Sequence, residues 1–305
     1  MRVRVVAYRG FSTRYVAERM ARAFAALGCQ VSGPGPDPSG DLTADLRLSS
    51  AKRFTEHEPP APDLTFVYYR WMRRDGPVAR PRALWLVDEP YHWPQSTAWS
   101  RPFDRVFVND RATLCDHLPL KTYWLPAAYE PVTVPRPIEC DVALVGAAFP
   151  SRLRLLQTLR PHLNRLDVRL VGPGWPAAWR PVDCWVRPEH AARYYAGARI
   201  NLNLHREVPR PPRRRKPTAL NFRAFEIAAV GGFQITDDRE DRATFIPSCP
   251  TFDGTAEDLR RAIDYYLKHE EERREIGEAC RREAAPHTFA ARAGLVLEAV
   301  GCSIA

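Results

Sequence analysis

The 305-residue chain contains no run of 18 apolar residues, which excludes a membrane-spanning helix of ordinary length. Its start, Met1 to Tyr8, lacks the apolar stretch and cleavage site of a secretory signal and reads as a short charged strand. The seven cysteines are odd in number and include no Cys-x-x-Cys pair, so neither a disulfide framework nor a zinc ribbon is expected. They read as reduced, mostly buried thiols. His57, His117, His162, His190 and His269 fall at no metal-ligand spacing. Acidic side chains are in deficit, 36 against 45 basic, and the net charge of +9 favours a phosphorylated or polyanionic partner. A cytoplasmic protein without membrane insertion is the expectation.

What is present is ordinary for a folded chain: 45% hydrophobic, 27% charged and 10% aromatic, enough to close a core. The length predicts two domains of about 150 residues each. Val3 to Tyr8 predicts a buried parallel strand, and Thr13 to Leu27 a helix stopped by Gly28, with Ser12 or Thr13 as its N-cap. This is the opening of a Rossmann-like half, although Gly10 stands alone and the three-glycine phosphate fingerprint is missing. After the Gly33 to Gly40 loop, strands are predicted at Leu64 to Tyr68, Ala83 to Val87, Arg105 to Val108 and Thr122 to Leu125. Four prolines between Pro126 and Pro137 read as a stiff connection, placing the domain boundary there.

The same grammar then restarts. Strands are predicted at Cys140 to Val145, Asp167 to Val171, Ile200 to Leu204 and Phe233 to Thr236. Helices are predicted at Ser151 to Leu163, Glu189 to Ala196, Thr218 to Val230, Ala256 to His269 and Ala290 to Val300, with Thr218 and Thr255 as caps. The fold class is α/β with two Rossmann-like halves, and a ligand is expected at the carboxyl ends of their strands.

Chemistry concentrates in Asn221 to Phe233. Phe222, Phe225 and Ala229 can pack on a sheet while Asn221 and Arg223 stand near a helix start, where free N–H groups favour phosphate. Glu226, one turn on, suits a ribose or sugar hydroxyl; equally, Arg223 and Glu226 read as a solvated i, i+3 pair. Asp88, Glu89 and His92 follow the predicted strand Ala83 to Val87, where a general base belongs, or where Asp88 merely caps a helix and Glu89 or His92 faces water. Tyr91, Trp93 and Trp99 surround them as stacking platforms or as core. Gly172-Pro173-Gly174-Trp175 ends a strand, so its backbone can approach a ligand and Trp175 can cover a nucleobase. His205 ends another, beside a ligand. Arg206 to Lys216, with Arg210, Arg213, Arg214, Arg215 and Lys216, reads either as a solvated charge run or as a grip on a phosphodiester backbone.

These segments together resemble the CgeB-like glycosyltransferases of the GT-B group. The resemblance is carried by Asn221 to Asp237, Ile200 to His205, His287-Thr288-Phe289, Trp85 to Pro90, Phe103 to Asn109, Asp141 to Gly146 with Arg152, and Gly172 to Trp175. It implies a GT-B fold, two Rossmann-like domains facing across a cleft, with an acceptor domain over 1–137, a donor domain over 138–289, and a final helix within 290–305 packing back on the first. It also implies transfer of a sugar from a nucleotide-diphosphate sugar, with Glu226 on the ribose and Asn221, Arg223 and the Gly231-Gly232 turn around the diphosphate. Arg152 would oppose the charge of the leaving diphosphate, unless it is a surface helix arginine.

One position departs from the pattern. Many retaining members of the wider group carry a second glutamate eight residues before the ribose-binding one, and Thr218 stands there, so neither donor identity nor stereochemistry carries over. No Asp-x-Asp motif is present, and a diphosphate site built on arginine and helix N-termini, with no required metal or cofactor, is expected. For the acceptor, the basic run ranks a hydroxylated base in DNA above a protein or cell-surface glycan. A nucleotide-sugar epimerase on the same fold, and a non-enzymatic nucleic-acid-binding protein, are the competing classes.

Overall fold

The computed structural model describes residues 1–7, 11–33, 62–68, 81–117, 121–182, 186–207 and 216–301. Chain contacts divide it into two units: Met1–Pro126, Pro209–Thr218 and Thr288–Ala305 form the first, Ala127–Val208 and Ala219–His287 the second.

The first unit is built on β1 (Arg2–Ala7), β2 (Gln30–Ser32), β3 (Leu64–Tyr68), β4 (Arg82–Leu86), β5 (Arg105–Val108) and β6 (Thr122–Trp124). They form one parallel sheet in the order β2-β1-β3-β4-β5-β6. Every residue of β3 is buried, as a parallel strand covered on both faces requires. Helix α1 (Phe11–Ala26) packs on this sheet, Phe24 meeting Phe66 edge-on at 5.4 Å. Because α1 begins at Phe11, Ser12 and Thr13 lie inside the helix and are not its N-cap. The Trp85 indole donates to Leu125 O at 2.9 Å, fixing the start of the proline-rich segment. A short α2 (Gln95–Ser100) follows the turn after β4.

The second unit carries β7 (Cys140–Val145), β8 (Val168–Val171), β9 (Ala198–Asn203), β10 (Gln234–Asp237) and β11 (Thr251–Phe252), all parallel, in the order β11-β10-β9-β7-β8. Alternation sorts their side chains. Val142, Leu144, Ile200 and Leu202 join Leu156 and Leu159 of α3 (Pro150–Leu163) and Leu259 and Ile263 of α7 (Ala256–Lys268). On the opposite face, Ala143 meets Tyr194 of α4 (Pro188–Gly197), and Tyr195 packs with Ile227 of α5 (Phe222–Ala229). A one-turn α6 (Arg242–Phe245) and the charged α8 (Glu270–Ala284) complete the unit. The chain leaves β7 toward β8 on one side and returns to β9, β10 and β11 on the other. The crevice between the carboxyl ends of β7 and β9 is therefore the topological switch point, where open α/β sheets bind ligands.

The last helix, α9 (Phe289–Ala299), returns to the first unit and packs on α1. Arg292 Nε donates to Pro126 O at 2.9 Å, and Arg105 Nε donates to Ala299 O at 2.8 Å.

Candidate functional site

At the switch point of the second unit, β9 offers two faces of different chemistry. Ile200, Leu202 and Leu204 feed the core, whereas Asn201 and Asn203 point their amides to the side of α5. Asn203 Oδ1 accepts from Asn221 Nδ2 and from Arg223 Nε, both at 2.9 Å, while its Nδ2 donates to Gln234 Oε1 at 3.0 Å. Asn221 is the N-cap of α5, its Oδ1 accepting from Ala224 N at 2.9 Å. The expected cap, Thr218, is not used: its N–H and hydroxyl both donate to Asp110, at 2.9 and 3.0 Å, so the helix begins four residues later.

Arg223 is drawn inward. Its guanidinium donates to Leu204 O at 2.9 Å and to Val145 O, across the ends of β9 and β7. Arg152, near the start of α3, is buried and reaches the same Leu204 O through Nε and Nη2 at 2.9 and 2.5 Å, and Ala147 O through Nη1 at 2.7 Å. Two permanent cations thus converge on one carbonyl at the switch point. The reading of Arg152 as a surface arginine is overturned by its burial, and the half-buried Arg223 turns its guanidinium to Leu204 O and Val145 O instead of standing as a solvated partner of Glu226.

Gly146 makes the convergence possible. It sits at φ +153°, and a Cβ there would run into the Arg223 and Arg152 guanidiniums. Gly172 closes on it from β8, where a Cβ would lie 2.5 Å from Gly146 O. Gly174 follows in the same turn. Trp175, expected to cover a nucleobase, is instead packed into the core with its indole N–H on Gly146 O at 3.0 Å. Its amphipathic ring serves the loop.

His205 also turns inward. Its Nε2 accepts from Asn221 N at 3.1 Å, so Nδ1 carries the proton and donates to Asp237 Oδ1 at 2.8 Å. Burial keeps the imidazole neutral by lowering its pKa. Burial would raise Asp237, but the two hydrogen bonds from His205 and the Arg239 contact at 2.9 Å outweigh it and hold the carboxyl well below its usual range. This pair braces the start of α5. Glu226 stands half-buried one turn into α5, where it accepts from the Tyr195 hydroxyl, whose pKa burial and the carboxylate both raise.

Tyr195, Asn203 and Asp237 were not singled out from the sequence. The amides alternating with Ile200, Leu202 and Leu204 were the available signal for Asn203.

In the first unit, Asp88 and His92 lie just past β4 with Oδ2 and Nε2 3.7 Å apart, the Asp88 side chain 36% exposed. Asp88 caps no helix, since α2 starts at Gln95. Glu89 faces inward: it is 2% exposed, its N–H donates to Asn109 Oδ1 at 3.3 Å, and its Oε2 is buried without a hydrogen-bond partner among the described residues. Burial lifts its carboxyl to about 7, opposed by Ser96 and reinforced by Asp110, Asp88 and Asp116. The structure brings Arg152, Gly172, Gly174, Trp175, His205, Asn221, Arg223 and Glu226 together in the second unit and Asp88, Glu89 and His92 in the first. Gly10, Arg210, Arg213, Arg214 and Arg215 lie outside the described residues, and Lys216 is exposed. Among the described residues, no group of three or more His, Cys, Asp or Glu side chains is arranged to hold a metal ion, and no helix is long and apolar enough to cross a membrane.

Residues 152–298 match the glycosyl transferase-like family. The spore protein CgeB of Bacillus subtilis (strain 168) is 24% identical over 245 residues, covering 71% of this chain and 73% of that protein. The sucrose-phosphate synthase of Thermosynechococcus elongatus superposes with a TM-score of 0.60 at 14% identity, over 98% of both chains. Anabaena HepE, solved with UDP and glucose, gives 0.62 at 10% identity, again over 98% of each. The chain is thus similar to CgeB over most of its length, and its two parallel sheets share the α/β fold of these solved structures.

Proposed function

We propose that the second unit binds a nucleotide-diphosphate sugar at the β7/β9 switch point and that the protein transfers its sugar to an acceptor hydroxyl. The carrying observation is the pair of inward-turned guanidiniums, Arg152 and Arg223, meeting at Leu204 O beside the start of α5. In transfer, the bond between the sugar's anomeric carbon and the diphosphate oxygen breaks, and negative charge grows on the departing oxygen. Fixed cations and the N–H groups of a helix start stabilise that charge without reorganising. Glu226, held by Tyr195, takes the ribose hydroxyls. Asp88 and His92, at the carboxyl end of β4, receive the acceptor proton, and buried Glu89 positions their turn. Because arginine supplies the countercharge, chelators should leave the rate unchanged.

The test is release of free nucleotide diphosphate from a panel of nucleotide sugars, with donor affinity followed by calorimetry. Glu226→Gln should weaken the donor about tenfold, the value of one good polar contact to a charged group, with the fold intact. Unchanged affinity in both Glu226→Gln and Arg223→Lys would sink the assignment.

For the acceptor, the net charge of +9 and the basic run 206–216 support a hydroxylated base in DNA. Duplexes with and without hydroxymethylated bases are the comparison. Charge reversal across 210–216 should reduce transfer to DNA while donor affinity stays put; equal loss of both would refute a DNA grip.

A further inference from the structure

A concavity opens in the second unit, at the carboxyl ends of β9, β10 and β11 on the face covered by α3 and α7. It encloses about 390 Å³ and its lining contains neither Gly146, Asn221, Arg223 nor Glu226. Among the described residues four arginines from three chain segments surround it: Arg152 and Arg154 on α3, Arg206 after β9 and Arg239 after β10. Two are set before any ligand arrives. Arg152 is buried and bonded to Leu204 O and Ala147 O, and Arg239 is buried with its Nε on Asp237. Arg152 and Arg206 also lie over the same Phe149 ring, at 5.0 and 5.7 Å from its centroid.

Among the described residues two carboxylates line the cleft, and both are engaged. Asp237 accepts from His205 and Arg239. Glu207 pairs with Arg154 at 2.9 Å on the rim, where the two side chains are 69% and 67% exposed and exchange partners at little cost. Below the arginines, Leu155, Leu204 and Phe252 give an apolar floor, and Ser151 and Thr158 add hydroxyls. The volume lies at the small end of ligand pockets, room for one sugar ring and a phosphate but tight for a nucleotide.

We infer that this cleft binds a small phosphorylated sugar, the phosphate gripped by the Arg152, Arg154 and Arg206 guanidiniums and the ring laid on Phe252 and Leu155. Guanidinium forks match phosphate oxygens in pairs, and an amphipathic sugar face suits a floor that is apolar between hydroxyls. The inference does not rest on the donor reading, with which it shares Arg152, Leu204, His205 and Asp237 as a common wall.

Calorimetry on the full chain tests it with glucose 6-phosphate, inorganic phosphate and glucose. Glucose 6-phosphate should bind at one saturable site, inorganic phosphate about tenfold more weakly, and glucose without measurable heat. Arg154→Glu, and Thr158→Trp placed on an exposed helix position to fill the cleft, should each weaken glucose 6-phosphate tenfold or more. Glu226→Gln should leave it unchanged. Absence of saturable binding by both phosphate probes overturns the site, as does undiminished binding in Thr158→Trp. Equal loss in Glu226→Gln would move the ligand to the α5 helix start and refute it as well.

Discussion

Glu89 and His117 are buried in the first unit on either side of α2, where Ser96 neighbours the carboxyl and Ser100 Oγ lies 3.2 Å from the His117 ring. Burial acts on them in opposite directions. Glu89 is raised from 4.5 to about 7, so folding binds a proton and stability falls as pH climbs from about 4.5 to 7. His117 is lowered from 6.5 to about 4, so folding releases a proton and stability falls as pH drops from about 6.5 to 4. The two windows overlap and offset. Urea unfolding of the first unit, which holds both groups, should therefore change little over pH 4.5 to 6.5. Glu89→Gln should expose an acid-side loss of about 3 kcal/mol, the full His117 window, and a flat profile in that variant would remove His117 as the cause. Gly146→Ala is a second prediction at this scale. Its Cβ would displace both switch-point arginines, and with the positive φ the cost is about 2 kcal/mol together with loss of donor affinity. Little of this residue-level geometry was legible beforehand. Arg152, Asn221 and Arg223 were singled out because each stands beside a strand end or helix start, but which way a guanidinium turns depends on carbonyls that only the folded β7 and β9 bring together.

Among elements, α5 shows where sequence reading stops. Its apolar side, from Phe222 to Ala229, was plain from periodicity, but its start was placed at Thr218 on cap chemistry alone. A threonine caps only if its hydroxyl is not already committed, and Thr218 is committed to Asp110, 108 positions away. The strands were read almost to the residue because parallel strands buried on both faces are continuous apolar runs, whereas β2 and β11 are too short to rise above the background. Helix α8 was missed because its stability comes from i, i+3 pairs such as Glu278 with Arg281 on a highly charged segment, not from an apolar stripe. Asn221→Ala should cost about 1 kcal/mol through the lost cap and free the Arg223 side by removing the shared bond to Asn203. Faster amide exchange confined to 222–226 is the expected signature. Asn221→Asp should keep the cap but lose the donation to Asn203 Oδ1.

For the whole molecule, the path of the chain matters more than either sheet. The first unit is completed by α9, which packs on α1 and ties Arg292 to Pro126 and Arg105 to Ala299. Burial lowers the Arg292 guanidinium to about 10 because it is held among buried groups. Removing residues 288–305 should therefore lower the melting transition of the first unit and leave that of the second in place, read by calorimetry with hydrogen exchange to assign each step. Simultaneous loss of both transitions would show that the units do not melt separately.

The same threading bears on how the protein is made. Residues 127–287, which hold all the strands and helices of the second unit, emerge from a ribosome before the helix that closes the first. The earlier-synthesised lobe is thus the later one to finish, and until translation passes Ala299 its α1 surface stays open to chaperones or to aggregation.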